Sequence, residues 1–159
     1  MLLEDLNRLD AAAAAGEFLR CCGSRRWAAL MAGAGPFSSV EQVGETADAI
    51  WSRLEPADWL EAFAAHPRIG GAGEGWSAQE QRGAANASSD IRARLALRNR
   101  DYEARFGYIF IVCATGKSAA DMLRLLEARL SNDPGEELRV AAGEQRQITR
   151  LRLARLLDA

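Results

Sequence analysis

Apolar residues recur every three or four positions through most of the chain, which is the spacing of one buried face of an α-helix. The clearest case is the series Val40, Val43, Ala47, Ile50 and Leu54. Strict alternation of apolar and polar residues, which is typical of a half-buried strand, is almost absent. The pattern predicts an all-α fold, and a chain of 159 residues is long enough for a single-domain compact multi-helix bundle over residues 1–159.

Capping and helix-breaking residues set the expected boundaries of these helices. Pro67 disfavours helical geometry in the residue before it, and Gly107 suits the position that follows a helix. Ser118 with Asp121 is typical of a helix start. The predicted helices cover about 3–8, 16–32, 39–53, 56–65, a segment that begins at Ser77, 89–105, 118–131 and 134–157.

One segment does not follow the helical spacing. The stretch "YIFIVCA", residues 108–114, is a continuous apolar run that contains β-branched and aromatic residues. A run of this length fits either a short buried strand or an extended segment that passes between helices. Periodicity alone does not separate the two, so both remain open at this point.

Charge and cysteine content narrow the function classes. The net charge is −2 with 20 basic and 22 acidic side chains, so no overall field attracts nucleic acid or a membrane surface. No apolar run approaches the ~20 residues of a membrane span, and the acidic start "MLLEDLNRLD" differs from a secretory signal. Cys21, Cys22 and Cys113 form neither a disulfide framework nor a C-x-x-C metal motif. We expect a cytoplasmic protein with no nucleic-acid partner, no membrane partner and no bound metal.

Two glycine-containing stretches resemble parts of phosphate-binding loops. "ATGKSA" ends like a P-loop, but the position five residues before Gly116, where that motif needs a glycine, is Ile111. "GGAGEG" lacks a complete G-x-G-x-x-G motif because Trp76 stands at the position of the third glycine. Neither stretch predicts a nucleotide site.

His66 is the only histidine of the chain, and it ends a predicted helix beside a glycine-rich loop. A histidine at a helix C-terminus can simply cap free carbonyl groups and interact with the helix dipole. The alternative is a general acid or base, for which imidazole is the commonest side chain. The residue pattern by itself leaves both interpretations open.

Glu80 and Arg152 allow a similar pair of interpretations. Ser77 and Glu80 have the spacing of a capping box, although Gln81 and the nearby glycine-rich loop would also suit an anionic substrate. Arg152 has Ile148 four residues before it, on a partly apolar helix face. Its guanidinium could extend to solvent, pair with an internal carboxylate such as Glu127 or Glu144, or bind a ligand carboxylate.

Several motifs, taken in order, resemble one known family. They are "LNRLDAAAAAGEFLRCC" at the start, "AHPRIG" at 65–70, "WSAQEQ" at 76–81, "RNRDYEARFGYIFIVCATGKSA" at 98–119, "EARLSND" at 127–133 and "ITRLRL" at 148–153. This ordered set, which spans nearly the whole chain, resembles 2-oxo-4-hydroxy-4-carboxy-5-ureidoimidazoline (OHCU) decarboxylase. The resemblance implies an all-helical homodimer without a cofactor that converts OHCU to (S)-allantoin and carbon dioxide in urate degradation.

The resemblance also implies roles for individual residues at the matching motif positions. His66 and Glu80 would be catalytic. The substrate-binding set would be Pro67, Ser77, Gln81, Phe110, Ile111, Val112, Cys113, Ala114 and Arg152. The C-terminus "RLARLLDA" lacks a Ser-Lys-Leu ending, which agrees with the cytoplasmic expectation.

Two other functions remain open on the residues alone. One is a non-catalytic helical interaction module, in which His66 caps a helix and Ser77 with Glu80 forms a capping box. The other is a related lyase or hydrolase that acts on a different ureido acid with the same anion pocket. Turnover of OHCU separates the first from an enzyme, and substrate profiling separates the second.

Overall fold

Helices make up most of the chain, and they begin where the sequence places capping residues. The computed structural model describes residues 1–69, Glu80, Arg82 and residues 88–158. The helices within this part are α1 (Leu3–Arg8), α2 (Ala11–Cys21), α3 (Arg25–Ala34), α4 (Val40–Ser52), α5 (Pro56–Ala64), α6 (Ser89–Phe106), α7 (Ala119–Arg129) and α8 (Pro134–Leu156). The prediction of an all-α fold is confirmed.

Local capping explains several boundaries. The Ser39 hydroxyl accepts the Gln42 N–H at 3.0 Å at the start of α4. Ser118 and Asp121 form a reciprocal capping box at the start of α7, with distances of 3.1 and 3.0 Å. Gly107 follows α6 with a left-handed φ of 83°, a conformation that glycine adopts without strain. These three boundaries agree with the predicted ones.

The predicted helix at 16–32 is wrong, because two helices occupy this region. Cys22 is extended at φ −150° and ψ 123°, and the Ser24 hydroxyl accepts the Trp27 N–H at 3.2 Å to start α3. Asp10 accepts the Ala13 N–H at 2.7 Å, so the alanine run at 11–15 belongs to α2 rather than preceding it. Alanine has the highest helix propensity, so the alanine run extends α2 towards the N-terminus. Asp10 and Ser24 each cap the start of a separate helix, and these caps outweigh the continuous apolar spacing.

Contacts within the described residues divide the chain into two units. The first contains residues 1–62 and 145–158, and the second contains residues 63–144. The single-domain organisation over 1–159 remains a prediction. No helix in the described part of the chain is both long and apolar enough to cross a membrane.

The first unit has an aromatic core between α2 and α4. The ring of Phe18 packs edge-on against Trp27 and Phe37, with centroid distances of 6.0 and 6.2 Å. The Trp27 indole N–H donates to the Ala47 carbonyl at 3.2 Å, which satisfies a buried donor and ties α3 to α4. The core of this unit therefore depends on the helix break that the sequence pattern did not reveal.

The second unit packs α6 and α7 around the apolar run at 108–114. Its core cluster comprises Leu95, Tyr102, Phe110, Val112, Ala114, Ala119, Met122, Leu123 and Leu126. Residues 109–114 belong to no helix and no strand within the part of the chain that the structure describes. Because every second residue, namely Phe110, Val112 and Ala114, joins the core cluster, we infer an extended segment. Of the two open possibilities, the structure adopts an extended segment between helices.

A buried ion pair lies next to this segment. Glu137 is fully buried, and Arg129, at 8% exposure, donates to both of its carboxylate oxygens at 3.1 and 3.0 Å. Tyr102 also donates its hydroxyl to Glu137, and Asn132 donates to the same carboxylate at 3.1 Å. The Arg129 guanidinium stacks over the Phe110 ring at 4.4 Å. We call this set the Arg129–Glu137 network.

Removal of Arg129 should strongly destabilise the protein. Arg129→Met leaves the Glu137 charge buried without its partner, so we expect the free energy of unfolding to fall by about 3–5 kcal/mol. Urea unfolding followed by far-ultraviolet circular dichroism measures the change. The control is Arg94→Met, which removes a 58% exposed guanidinium from its pair with Glu127 and should have a much smaller effect. Equal losses in the two variants would contradict a structural role for the network.

Candidate active site

His66 lies just beyond the end of α5. Its backbone N–H donates to the Phe63 carbonyl at 3.2 Å, and its side chain is half-buried. Pro67, also half-buried, follows it and cannot continue the helix. The backbone of His66 is therefore fixed to the last turn of α5, and the residue as a whole remains partly exposed.

Three contacts within the second unit fix the segment around His66. The Phe63 ring is fully buried, with its centroid 5.4 Å from that of Tyr108. Arg68 forms a two-pronged pair with Glu103 of α6, at 2.7 and 3.0 Å. Ile69 packs against the core cluster of this unit. The sequence pattern did not predict these contacts, because Arg68 and Glu103, like Phe63 and Tyr108, are far apart in the chain.

Glu80 is helical and 8% exposed. Its carboxylate is close enough to Cys113 to be one of the charges that raise the pKa of that thiol. The structure thus brings Glu80 together with the extended segment in the second unit. Ser77 and Gln81 lie outside the described residues, so the capping box and their proposed contacts remain predictions.

The extended segment presents two different faces. Phe110, Val112 and Ala114 belong to the core cluster, where they pack with α6 and α7. Ile111 and Cys113 are not members of that cluster, as expected if side chains alternate along an extended chain. All five are buried. The side chains best placed to line a site near Glu80 are therefore those of Ile111 and Cys113.

Charged side chains bind the peptide groups of this segment. Arg129 donates to the Ile111 carbonyl at 2.7 Å, and Lys117 donates to the Cys113 carbonyl at 2.7 Å. The Cys113 N–H donates to the Glu144 carboxylate at 3.1 Å. Buried peptide groups need hydrogen-bond partners, and here side chains supply bonds that a neighbouring strand would otherwise make.

The Cys113 thiol is not poised as a nucleophile. Burial raises its pKa, and the charges of Glu144 and Glu80 act in the same direction, while Lys117 opposes them. A thiol nucleophile instead needs a lowered pKa. Cys113 therefore carries a neutral thiol, and its place in the substrate-binding set remains a prediction.

Arg152 is described within the first unit. It is 8% exposed and lies on the same face of α8 as Gln145 and Thr149, which are joined by a hydrogen bond of 3.1 Å. By contrast, Arg150 is exposed and pairs with Asp48 at 3.3 Å. The burial of Arg152 agrees with its predicted position on a partly apolar helix face. Of the internal carboxylates suggested for Arg152, Glu127 binds Arg94 and Arg98, and Glu144 binds the Cys113 N–H.

Two buried thiols lie near Arg152. Burial raises the pKa of Cys21 to about 12 and that of Cys22 to about 11, although the positive charge of Arg152 acts against both shifts. Both thiols are therefore protonated at neutral pH. Among the described residues, no group of three or more histidine, cysteine, aspartate or glutamate side chains could hold a metal ion.

Comparison with known proteins places the chain in a family. A family model for OHCU decarboxylase matches residues 7–154. The chain belongs to the OHCU decarboxylase family. The resemblance inferred from the ordered motifs is thus confirmed, and the match includes His66, Glu80 and Arg152.

Individual members of the OHCU decarboxylase family are similar over most of the chain. One is known from a crystal structure of OHCU decarboxylase in the presence of (S)-allantoin, and its sequence is 41% identical to that of this chain. The two structures match with a TM-score of 0.83 over 90% of this chain and 98% of that chain. The Mus musculus 2-oxo-4-hydroxy-4-carboxy-5-ureidoimidazoline decarboxylase is 33% identical over 132 residues, which cover 78% of this chain and 74% of the mouse protein.

A plant relative is longer. The uric acid degradation bifunctional protein TTL of Arabidopsis thaliana is 40% identical over 151 residues, covering 89% of this chain and 47% of the plant protein. The chain therefore spans about half the length of this relative. The similarity concerns only that part of the plant protein.

The buried thiols predict how stability depends on alkaline pH. Burial raises the folded-state pKa of Cys22 from 9.0 to about 11, so unfolded chains lose this proton first as the pH rises. The stabilisation from the neutral thiol is complete below pH 9.0 and is lost as the pH rises through about 11. Urea unfolding at intervals across this range should show a steeper decline for the wild type than for Cys22→Ser. Parallel curves would contradict this assignment.

Proposed function

We propose that the protein catalyses the cofactor-independent decarboxylation of OHCU to (S)-allantoin in urate degradation. The observation that carries this proposal is the similarity to the OHCU decarboxylase structure determined in the presence of (S)-allantoin. The two sequences are 41% identical, and the match covers 98% of the chain in that structure. The half-buried His66 and the buried Glu80, both in the second unit, provide the acid–base groups that such a reaction needs.

The substrate explains why no cofactor is required. OHCU carries a carboxylate and a hydroxyl on one ring carbon, next to an imine carbon. When the bond to the carboxylate breaks, its electron pair can enter the imine, so the ring itself accepts the electrons. The protein must then bind the anion, handle the hydroxyl proton, and deliver a proton to one face of the resulting enol.

His66 and Glu80 are the proposed catalytic residues. Imidazole exchanges protons near neutral pH, and a half-buried ring at the end of a helix can reach a bound substrate. We assign the proton transfer that sets the product configuration to His66, with Glu80 contacting the substrate hydroxyl. The buried extended segment would exclude water from the site, and the absence of water would strengthen these polar interactions.

The remaining residues are proposed to bind substrate. On the resemblance, Arg152 binds the substrate carboxylate, for which a planar guanidinium is well suited. Its 8% exposure favours this assignment over that of a solvated surface charge. The proposed walls of the site are Pro67, Ser77, Gln81 and the segment Phe110, Ile111, Val112, Cys113 and Ala114.

The resemblance also carries proposals about the setting of the protein. We propose a homodimer in the cytoplasm. Size-exclusion chromatography with light scattering tests the dimer directly, since a protein of 17.3 kDa per chain should elute with about twice that mass.

A circular dichroism assay tests the function. OHCU is generated freshly from urate, and the (S)-allantoin signal is followed with wild-type protein, with His66→Asn and without protein. We expect the signal to appear rapidly only with the wild type, because the uncatalysed decay gives racemic allantoin without a net signal. A wild type that leaves the background decay unchanged would refute the decarboxylase function, and full activity of His66→Asn would refute the role of His66.

Substitution of Arg152 should affect substrate binding. Arg152→Gln removes a charge-assisted hydrogen-bonding group, so we expect KM to rise by about 10- to 100-fold, with a smaller change in kcat. The matched control is Arg150→Gln, which makes the same change on the same helix at an exposed arginine paired with Asp48. Steady-state kinetics of both variants decide the point. An equal KM for Arg152→Gln and the wild type would contradict carboxylate binding by Arg152.

A further inference from the structure

Lys117 is the only lysine among the 20 basic side chains of the protein. It belongs to the Gly-Lys-Ser stretch that ends like a P-loop but lacks the rest of that motif. In the structure its ammonium group contacts the extended segment beside Glu80. We propose that Lys117 and Glu144 are positioning residues of the decarboxylase site, which hold the peptide groups of Cys113 from two sides. This inference rests on the proposed function.

The turn after the extended segment brings Lys117 back to it. Gly116 has φ +78°, a left-handed conformation that favours glycine, so the chain reverses at this point. The Lys117 N–H then donates to the Ala114 carbonyl at 3.0 Å, and the ammonium group donates to the Cys113 carbonyl at 2.7 Å. The backbone and side chain of one residue thus fix two successive carbonyl groups.

Glu144 holds the other side of the same residue. Its carboxylate accepts the Cys113 N–H at 3.1 Å. Glu144 lies seven residues after Glu137 on α8, and two helical turns place both on similar faces. Glu137 binds Arg129, and Arg129 in turn donates to the Ile111 carbonyl at 2.7 Å. One helix therefore controls two alternate residues of the extended segment.

The charges around Cys113 connect these contacts to the proposed chemistry. Lys117, Glu144 and Glu80 all act on the pKa of the Cys113 thiol, so all three charged groups lie near it. Glu80 is the proposed catalytic acid partner, and the segment opposite it is the proposed wall of the site. A displacement of about 1 Å in such a wall can reduce turnover by about 100-fold.

A lysine suits this position better than an arginine. The ammonium group is compact and its three donors rotate freely, so it can approach one carbonyl oxygen inside a tight turn. The guanidinium fork is wider and matches carboxylate or phosphate groups. At every other basic position the chain uses arginine.

Kinetics of paired variants test the proposal. Lys117→Met should lower kcat by about 10- to 100-fold with little change in KM, because the wall is displaced while the proposed anion contact at Arg152 remains. Lys117→Arg keeps a donor and the charge and should recover part of the loss. Glu144→Leu should impair kcat similarly, whereas Glu144→Gln retains an oxygen acceptor and should stay near the wild type. Arg94→Met is the matched control for loss of a basic side chain in the same unit.

Chemical modification gives a second test that does not require Lys117→Met to fold. An amine-selective acetylating reagent has only two targets in the native wild type, the Lys117 side chain and the terminal amine, since the sequence contains no other lysine. Activity should fall in parallel with acetylation of Lys117, measured by peptide mass spectrometry. Lys117→Arg treated with the same reagent should keep the activity that this variant has before treatment.

The outcomes separate this inference from the proposed function. An active wild type with unchanged kcat in folded Lys117→Met, or after complete acetylation of Lys117, would overturn the positioning role alone. Equal damage in Glu144→Gln and Glu144→Leu would also overturn it, because the charge rather than the hydrogen bond would then matter. A wild type that does not convert OHCU would overturn both proposals.

Discussion

Buried peptide groups without a neighbouring strand impose the main constraint on this structure. Residues 109–114 lie in the second unit, and within the described residues they belong to no helix and pair with no strand. Unpaired buried N–H and C=O groups cost about as much as lost hydrogen bonds, so partners must come from elsewhere. Arg129 of α7, Lys117 of the following turn and Glu144 of α8 supply them. These three hydrogen bonds tie the segment to α7, to the following turn and to α8.

The Arg129–Glu137 network is the structural consequence of this arrangement. A guanidinium that reaches a buried carbonyl has to be desolvated, and a desolvated charge needs a counter-charge with all its hydrogen-bonding groups occupied. Glu137 provides the charge, while Tyr102 and Asn132 complete its contacts. The aromatic rings of Phe110 and Tyr102 lie beneath the guanidinium. The segment proposed to form a wall of the active site is thus supported by ionic and aromatic contacts rather than by a sheet.

The sequence allowed prediction of features that depend on neighbouring residues. Ser118 with Asp121, Gly107 and the Pro67 boundary were recognisable because caps and breakers act within one turn. The break at Cys22 was missed because apolar spacing continues across it, and only the Ser24 cap marks it. The charged contacts with Ile111 and Cys113 join residues far apart in sequence, which periodicity does not detect. For His66 and Glu80 the residue pattern leaves a functional role and a capping role open, and the family resemblance favours the catalytic one.

The two supports of the proposed site differ in their sensitivity to ionic strength. The segment that carries His66 is attached to α6 through Arg68 and Glu103, whose side chains are 63% and 24% exposed. Salt screens such an exposed pair, because mobile ions surround its charges. The Debye length is about 8 Å at physiological ionic strength and becomes shorter as salt is added. The Arg129–Glu137 network is out of reach of these ions. Concentrated salt should therefore weaken the Arg68–Glu103 attachment of the histidine segment, while the buried contacts of Arg129 with the extended segment are preserved.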